Sequence, residues 1–467
     1  MNKSLLMVLS GIGLVLGGCS LAPEYRKPEA PVPANWPAGP VYDKASQVAP
    51  AATELKWREF FADERLQKII ETALDNNRDL RLAALNVERA RAIYGIQRAE
   101  LYPAVNAQGG GGKQRQSADL IKPGDARTRE QYSVDLGIAA WEIDFFGRIR
   151  SLSDQALEEY LATDEARRGA RIALVAEVAR VYLTLAADRE DFALAQSTLE
   201  TQHASFGLVK KRYGVGLATE LDLKRAQIPL DTARGDVARF TQLVAQDQNA
   251  LNLLAGSPVP EELLPIGLNR VTSPKEISAG ISSEVLLRRP DIMAAEHRLK
   301  GTYANIGAAR AALFPRISLT TTLGTASNQL SGLFDSGTGT WSFTPQFVIP
   351  IFDARVWAAL RVSETDQKIV LTQYEKTIQT AFREVADALA VQGTIDEQVA
   401  AQQSLVAAVA DTYRLSMNRY TKGIDSYLGV LDAQRSGFAA QQGLVALRLA
   451  KLANQVRLYA VLGGGAE

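Results

Sequence analysis

The sequence is short of the residues that most chemistry needs. It has one cysteine, Cys19, among 467 residues. No intramolecular disulfide is possible, and cysteine-based zinc sites are excluded. The two histidines, His203 and His297, lie far apart in the chain, so they read as surface or packed imidazoles rather than a metal pair. Charge of one sign is not in excess: Lys+Arg and Asp+Glu both number 52, so no basic field attracts nucleic acid. There is no P-loop, no His-Glu-x-x-His and no paired glycine fingerprint. An enzyme is therefore not expected, nor a metal or a dissociable cofactor. No stretch reaches about 18 apolar residues, the least that reads as a membrane-spanning helix. If the mature chain crosses a membrane, it must do so as a closed β-barrel, because only that form pairs every backbone group in lipid.

The N-terminus carries a compact signal. Lys3 precedes an apolar run from Leu5 to Leu16, and Leu16-Gly17-Gly18-Cys19 follows. The run is too short to span a bilayer and reads as a secretion signal over 1–18. The Leu-Gly-Gly-Cys ending resembles the bacterial lipobox. That resemblance implies cleavage after Gly18 and covalent lipid on Cys19. Ser20 rather than Asp follows, which in this class favours the outer membrane. Several acyl chains anchor firmly, at about 0.8 kcal/mol per buried CH₂. Residues 19–56, rich in Pro and Ala, are expected to form an extended, lipid-anchored tether.

The rest of the chain is written twice. Asp79, Gly95, Arg98, Ala99, Leu101 and Pro103 recur 212 residues later as Asp291, Gly307, Arg310, Ala311, Leu313 and Pro315. Beyond them the offset is 207. Phe145 and Arg148 recur as Phe352 and Arg355, and Glu177-Val178-Ala179 as Glu384-Val385-Ala386. Arg212-Tyr213, Gly216, Leu221 and Ala226-Gln227 recur as Arg419-Tyr420, Gly423, Leu428 and Ala433-Gln434. Repeat 1 covers 57–263 and repeat 2 covers 282–467, with a linker at 264–281.

Each repeat predicts the same order of elements. A helix at about 64–101, or 282–313, ends at a proline. Two β segments follow. Tyr132, Val134, Leu136 and Ile138 alternate with Ser133, Asp135 and Gly137. Ile317, Leu319 and Leu323 alternate with Ser318, Thr320 and Thr322, and Trp341, Phe343 and Phe347 with Ser342, Thr344 and Gln346. Period-2 alternation sets one face in oil and the other in water. The strand after Pro103 reads as weak, because Gly109 to Gly112 interrupt it. Trp341 and Phe343 suit the lipid boundary, or burial against a neighbouring subunit.

A helix without proline comes next, at about 147–212 and 354–420. At 1.5 Å per residue it would run to about 100 Å. It reverses at Gly214/Gly216 or Gly423, and a shorter helix returns over about 219–255 or 426–462. Pro229 marks a kink. Two short helices end to end match one long one, which suggests a helical barrel. Four strands cannot enclose a lumen, so the β part requires self-association. The fold class is α+β.

The segments Trp141-Glu-Ile-Asp-Phe-Phe-Gly-Arg148, Arg289-Pro-Asp-Ile292, Ala304-Asn-Ile-Gly-Ala-Ala-Arg-Ala-Ala312, Phe314-Pro-Arg-Ile-Ser-Leu-Thr320, Pro350-Ile-Phe-Asp353, Val430-Leu-Asp-Ala-Gln-Arg435 and Leu462-Gly-Gly-Gly465 occur in that order. Together they resemble the outer-membrane factors of the TolC superfamily, in the lipoprotein branch that includes OprM and MtrE. The resemblance covers about 55–465. It implies a homotrimer with a 12-stranded transmembrane β-barrel continuous with a periplasmic α-helical barrel. It also implies docking through a periplasmic adaptor protein to an inner-membrane transporter of the resistance-nodulation-division class, and export of toxic small molecules.

The resemblance also assigns residues. Leu428 and Asp432, four apart and so on one helical face, match a periplasmic aperture closed at rest. Spacing alone equally allows Asp432 to form a solvated pair with Arg435. Repeat 1 carries Leu221 and Arg225 at the matching positions, so the acidic ring is not doubled, and Arg225 is a possible partner for Asp432. The reversals at Arg212, Tyr213 and Gly216 and at Arg419, Tyr420 and Gly423 would meet the adaptor, or their Arg and Tyr side chains would brace the turns. Rival readings are a protein-secretion duct, a periplasmic adaptor and a structural coiled-coil lipoprotein. The alternating strands argue against the last, and the doubled strand pair against the adaptor.

Overall fold

The computed structural model describes residues 20–42, 55–279 and 282–465. The expected signal segment, Cys19 and part of the tether lie outside these. After a single helical turn at Trp57–Phe60, the first half runs α1 (Glu64–Asn76), α2 (Arg78–Ala99), β1 (Val105–Arg115), β2 (Thr128–Glu142), α3 (Arg148–Gly214) and α4 (Glu220–Ala255). The second half runs α5 (Pro290–Ala311), β3 (Arg316–Ser327), β4 (Gly339–Val348), α6 (Ala354–Thr421) and α7 (Tyr427–Val461). The long helices α3 and α6 hold 67 and 68 residues. Helix α4 runs unbroken through Pro229. No helix among the described residues is long and apolar enough to cross a membrane.

The first helix of each half is shorter than its sequence suggests, and for a local reason. Asn77 is extended (φ −63°, ψ 130°) and splits the expected 64–101 helix in two. Its Oδ1 accepts from the Leu80 amide at 2.9 Å, capping α2, and its Nδ2 donates to the Leu254 carbonyl at 2.9 Å. The matching residue, Arg289, is likewise extended (φ −66°, ψ 137°) after a 3₁₀ turn at Ser283–Arg288. Pro290 disfavours helix at the residue before it and suits the first helical position itself. Arg289 then donates to Asp291 (2.7 Å), Glu384 (3.1 Å) and the Val461 carbonyl (2.6 Å), so it also caps α7.

The four strands form one antiparallel sheet in the order β1-β2-β3-β4. Its register collects the apolar residues on one face. Leu136 lies opposite Leu323, Leu323 opposite Trp341, and Ile317 opposite Phe347. Ser133, Asp135, Thr320, Thr322, Ser342 and Thr344 take the other face. The apolar face is bare within the chain: Trp341 is 78% exposed. Strand β1 is stronger than expected, with all 11 residues paired through the glycine run. The Tyr132 ring lies over Gly111, 2.7 Å from where a Cβ would be. A bulge between Ile138 and Trp141 puts Ala140 at φ 50°, a left-handed conformation, and its amide donates to Thr320 Oγ1 at 3.0 Å.

The chain divides into two compact units that cut across the repeats. One unit takes the sheet with Asn86–Thr163, Ala294–Tyr374 and the N-terminal arm up to Glu29. The arm is extended but docked. The Leu21 carbonyl accepts from Arg310 (3.3 Å), Ala22 sits on Gly307, and Tyr25 meets Tyr303 edge-on at 5.5 Å. Lys27 pairs with Glu296 at 3.0 Å. On α5, His297 Nδ1 lies 2.6 Å from Glu158 of α3.

The other unit takes Ala30–Leu85, Asp164–Met293 and Glu375–Glu467. In its core Phe60 stacks on Tyr459 at 4.0 Å, with Phe61, Ile69, Ile70, Leu183 and Leu251 fully buried. Asp63 caps α1 through the Arg65 and Leu66 amides, both at 3.0 Å, and Tyr182 donates to it at 3.3 Å. The arm continues here. Trp36 stacks on Phe382 at 5.3 Å, Ser283 donates to the Pro33 and Ala34 carbonyls (2.7 and 2.8 Å), and Val41 lies against Gly393.

Candidate functional site

The two helical hairpins reverse by the same device. In the first, Gly216 is left-handed at φ 77°, the Gly216 amide donates to the Tyr213 carbonyl (3.0 Å) and the Leu217 amide to the Arg212 carbonyl (2.8 Å). In the second, Gly423 is at φ 73°, and Gly423 and Ile424 donate to Tyr420 (2.9 Å) and Arg419 (3.0 Å). A residue with a Cβ resists that conformation, so glycine fixes where each helix turns. Thr219 and Asp222 then form a capping box that starts α4.

The Arg and Tyr side chains at these ends serve the turns. Arg212 donates to the Tyr420 hydroxyl at 2.8 Å and tilts over its ring, linking the two hairpins. Arg419 forks onto Asp425 across its own turn and holds that carboxyl below its usual range. Sequence reasoning missed Asp425, because a pair six apart across a reversal has no helical spacing to betray it. It also missed the exposed apolar residues Val215, Leu217 and Ile424 that crown the ends beside half-exposed Tyr213.

Just past the reversals, α4 and α7 flank a groove of about 310 Å³. It brings together Leu428, Asp432, Arg225 and Arg435, with Ile228 and Phe438 among its apolar lining. Asp432 accepts from Arg435 at 2.7 Å, so the chain pairs it with Arg435 rather than with Arg225. The side chains are 65% and 83% exposed. Such a pair contributes about 0–1 kcal/mol, so little fixes the carboxylate in its present partnership. Behind the groove, Gln202 donates to Gln434 at 3.2 Å, which ties α3 to α7.

Higher on the first hairpin, α3 and α4 set three carboxyls together. Burial pushes Asp188 up, and burial beside Asp188 pushes Asp247 up to about 7. Burial, then the charges of Asp188 and Glu190, push Asp191 up to about 7. An acid whose folded value exceeds its unfolded one binds more protons when folded. Stability therefore falls as pH rises from about 4 to about 7. We expect the thermal midpoint to drop over that window. Asp191→Asn should raise the midpoint at pH 8 and leave it nearly unchanged at pH 4, as read by circular dichroism. Equal shifts at both pH values would contradict the assignment.

A family model described as Outer membrane efflux protein matches residues 69–257 and again 281–464. The chain belongs to the outer membrane efflux protein family. The two matches begin 212 residues apart and end 207 apart, the same two offsets that the sequence repeat carries. The Pseudomonas putida antibiotic efflux pump outer membrane protein ArpC and the toluene efflux pump outer membrane protein TtgC are each 49% identical, over all of this chain and 96% of theirs. The open-state MtrE outer membrane channel of Neisseria gonorrhoeae superposes with a TM-score of 0.86 at 37% identity, over 96% of this chain and 99% of that one. This efflux protein is thus the outer-membrane exit duct of a tripartite pump. Its family is one of channels, not enzymes.

Proposed function

We propose that three copies of this efflux protein close a 12-stranded barrel in the outer membrane, with the paired hairpins forming a helical duct in the periplasm. One observation carries this reading: a four-stranded sheet with a bare apolar face and two unpaired edges, β1 and β4, cannot close alone. Two copies would supply eight strands and almost no bore.

The repeat supports the way the copies meet. Within the chain, α5 packs on α3, with Gly301 against Gln155 and Gly307 against Ser151. The repeat offsets turn this pair into α2 against α6, with Arg89 facing Val362 and Gly95 facing Ala358. Yet α2 buries no residue in the chain, and α6 leaves Trp357, Val362 and Ile369 exposed. Helix α2 therefore packs on α6 of the next copy, and the series closes on itself.

The lipid anchor at Cys19 is part of the proposal. What supports it is the docking of Leu21 on Arg310, six residues before Arg316 opens β3. The segment leading back to Cys19 runs beside the helix end that feeds the sheet. The hairpin ends then meet the periplasmic adaptor through Val215, Leu217 and Ile424, with a resistance-nodulation-division transporter beyond it. Leu428 and Asp432 ring the aperture. Antibiotics and organic solvents, named for the Pseudomonas putida relatives, are the expected cargo.

Native mass spectrometry of the Cys19→Ser protein in detergent tests the assembly. A trimer is expected, since the barrel does not need the lipid to close. A monomer would contradict the architecture.

A further inference from the structure

The polar face of the sheet carries little charge. Its residues are mostly Gly, Ser, Thr, Asn and Gln, and the charged ones are Arg129, Asp135, Glu142 and Arg316. Glu142 is already engaged where the sheet meets the helices: it accepts from Arg148 at 2.9 Å and from Arg316. Arg129 is exposed near the opposite end of β2. Asp135 stands between these two levels. Its partners across the ladder are Gln108 and Gly324, neither of them a cation. The carboxylate lies over Gly324, in the space that a side chain there would take. Along the strands, Arg129 is about 20 Å from this level and Arg316 about 27 Å. Both distances exceed the Debye length of about 10 Å at 0.1 M salt. Neither arginine therefore neutralises Asp135.

We propose that Asp135 sets the charge preference of the duct inside the membrane. Three copies place three carboxylates at one level of the barrel, and cationic solutes pass that level more readily than anionic ones. The inference rests on the trimeric barrel proposed above. A neighbouring copy adds strands at the β1 and β4 edges, whereas Asp135 is on β2, between β1 and β3. Its face of the sheet becomes the wall of the bore, so assembly leaves the carboxylate uncovered. Twelve strands about 4.8 Å apart, tilted by about 40°, enclose a bore about 12 Å in backbone radius. The carboxylate projects inward from that wall. A solute on the axis then passes within about one Debye length of it. On the other face, Leu136, Leu323 and Trp341 lie beside this level. An apolar wall of low dielectric focuses the field of a charge into the bore. Arg129 has the opposite sign, but it stands near the mouth, where bulk salt screens it.

Planar bilayers holding the full-length protein test this, with potassium chloride at about 10 mM on one side and about 100 mM on the other, where the Debye length is about 30 and about 10 Å. Asp432→Ala is the background, because it removes the acid assigned to the aperture. Native mass spectrometry of the same sample reports the oligomeric state. The reversal potential of the Asp432→Ala channel should show potassium favoured over chloride at least threefold. Adding Asp135→Asn, which keeps the shape and removes the charge, should bring the ratio close to one. Adding Arg129→Gln instead should raise it. The preference should fade near 1 M salt, where the Debye length is about 3 Å. A trimer whose channel favours chloride with Asp135 in place, or whose ratio is unchanged by Asp135→Asn, overturns the inference alone. Protein that is not a trimer, or a trimer that conducts nothing, overturns the barrel and the inference with it.

Discussion

Asp432→Ala is expected to raise single-channel conductance several-fold in planar bilayers and to reduce the preference for cations. The carboxylate stands in the groove with Arg225 and Arg435, and its partner within the chain is the exposed Arg435. Pairs of that kind contribute about 0–1 kcal/mol, so the substitution should leave folding intact. In the proposed trimer three such carboxylates ring one axis. Removing them leaves Arg435 without its acid, and like charges then push the hairpin ends apart. Conductance and selectivity equal to the parent would remove Asp432 from the aperture.

Gly324→Val should have the largest effect on assembly. Gly324 pairs with Asp135 at the junction of β2 and β3, the seam between the repeats. A Cβ there would overlap the Val134 carbonyl oxygen and the Asp135 carboxylate. The backbone oxygen cannot move without parting the strands, so the cost is of order several kcal/mol and falls on the pairing that unites the two β hairpins. We expect no heat-resistant oligomer on gels and no protein in the outer-membrane fraction. Gly112→Val provides the contrast. Nothing lies within 4 Å of the Gly112 Cβ position, so oligomers should survive. Equal behaviour of the two variants would contradict the sheet register.

What the sequence made legible is what repeats or alternates. Gly216 and Gly423 share an offset with the Arg-Tyr pairs before them, and both reversals fall there with the same hydrogen bonds. The alternation through Trp341, Phe343 and Phe347 gave the face of β4, and the register adds Leu323 and Leu136 to it. Long-range partners left no such trace. Asn77 reads as one more helical surface residue until the Leu254 carbonyl is beside it. The glycine run in β1 reads as a break until Tyr132 fills the space above Gly111. Asp188 and Asp247 lie on different helices, and nothing near either one in the chain announces the other.

Glycine inside helices was the overlooked signal. Gly307 and Gly393 stand mid-helix with no turn to make, and both lie under the N-terminal arm. The Pro- and Ala-rich composition of the arm suggests an extended tether and does not show where it docks. Its docking depends on single residues, Tyr25, Lys27 and Trp36, whose partners are hundreds of positions away.

The most direct test of the central claim is ethidium extrusion from a Gram-negative strain without its own outer-membrane ducts. The protein would be expressed with a compatible adaptor and inner-membrane transporter, and intracellular fluorescence followed after energising. Restored extrusion that requires all three components is the predicted result. Dye retention with the protein present as an outer-membrane trimer and the adaptor bound to it would contradict its role as the exit duct for small molecules.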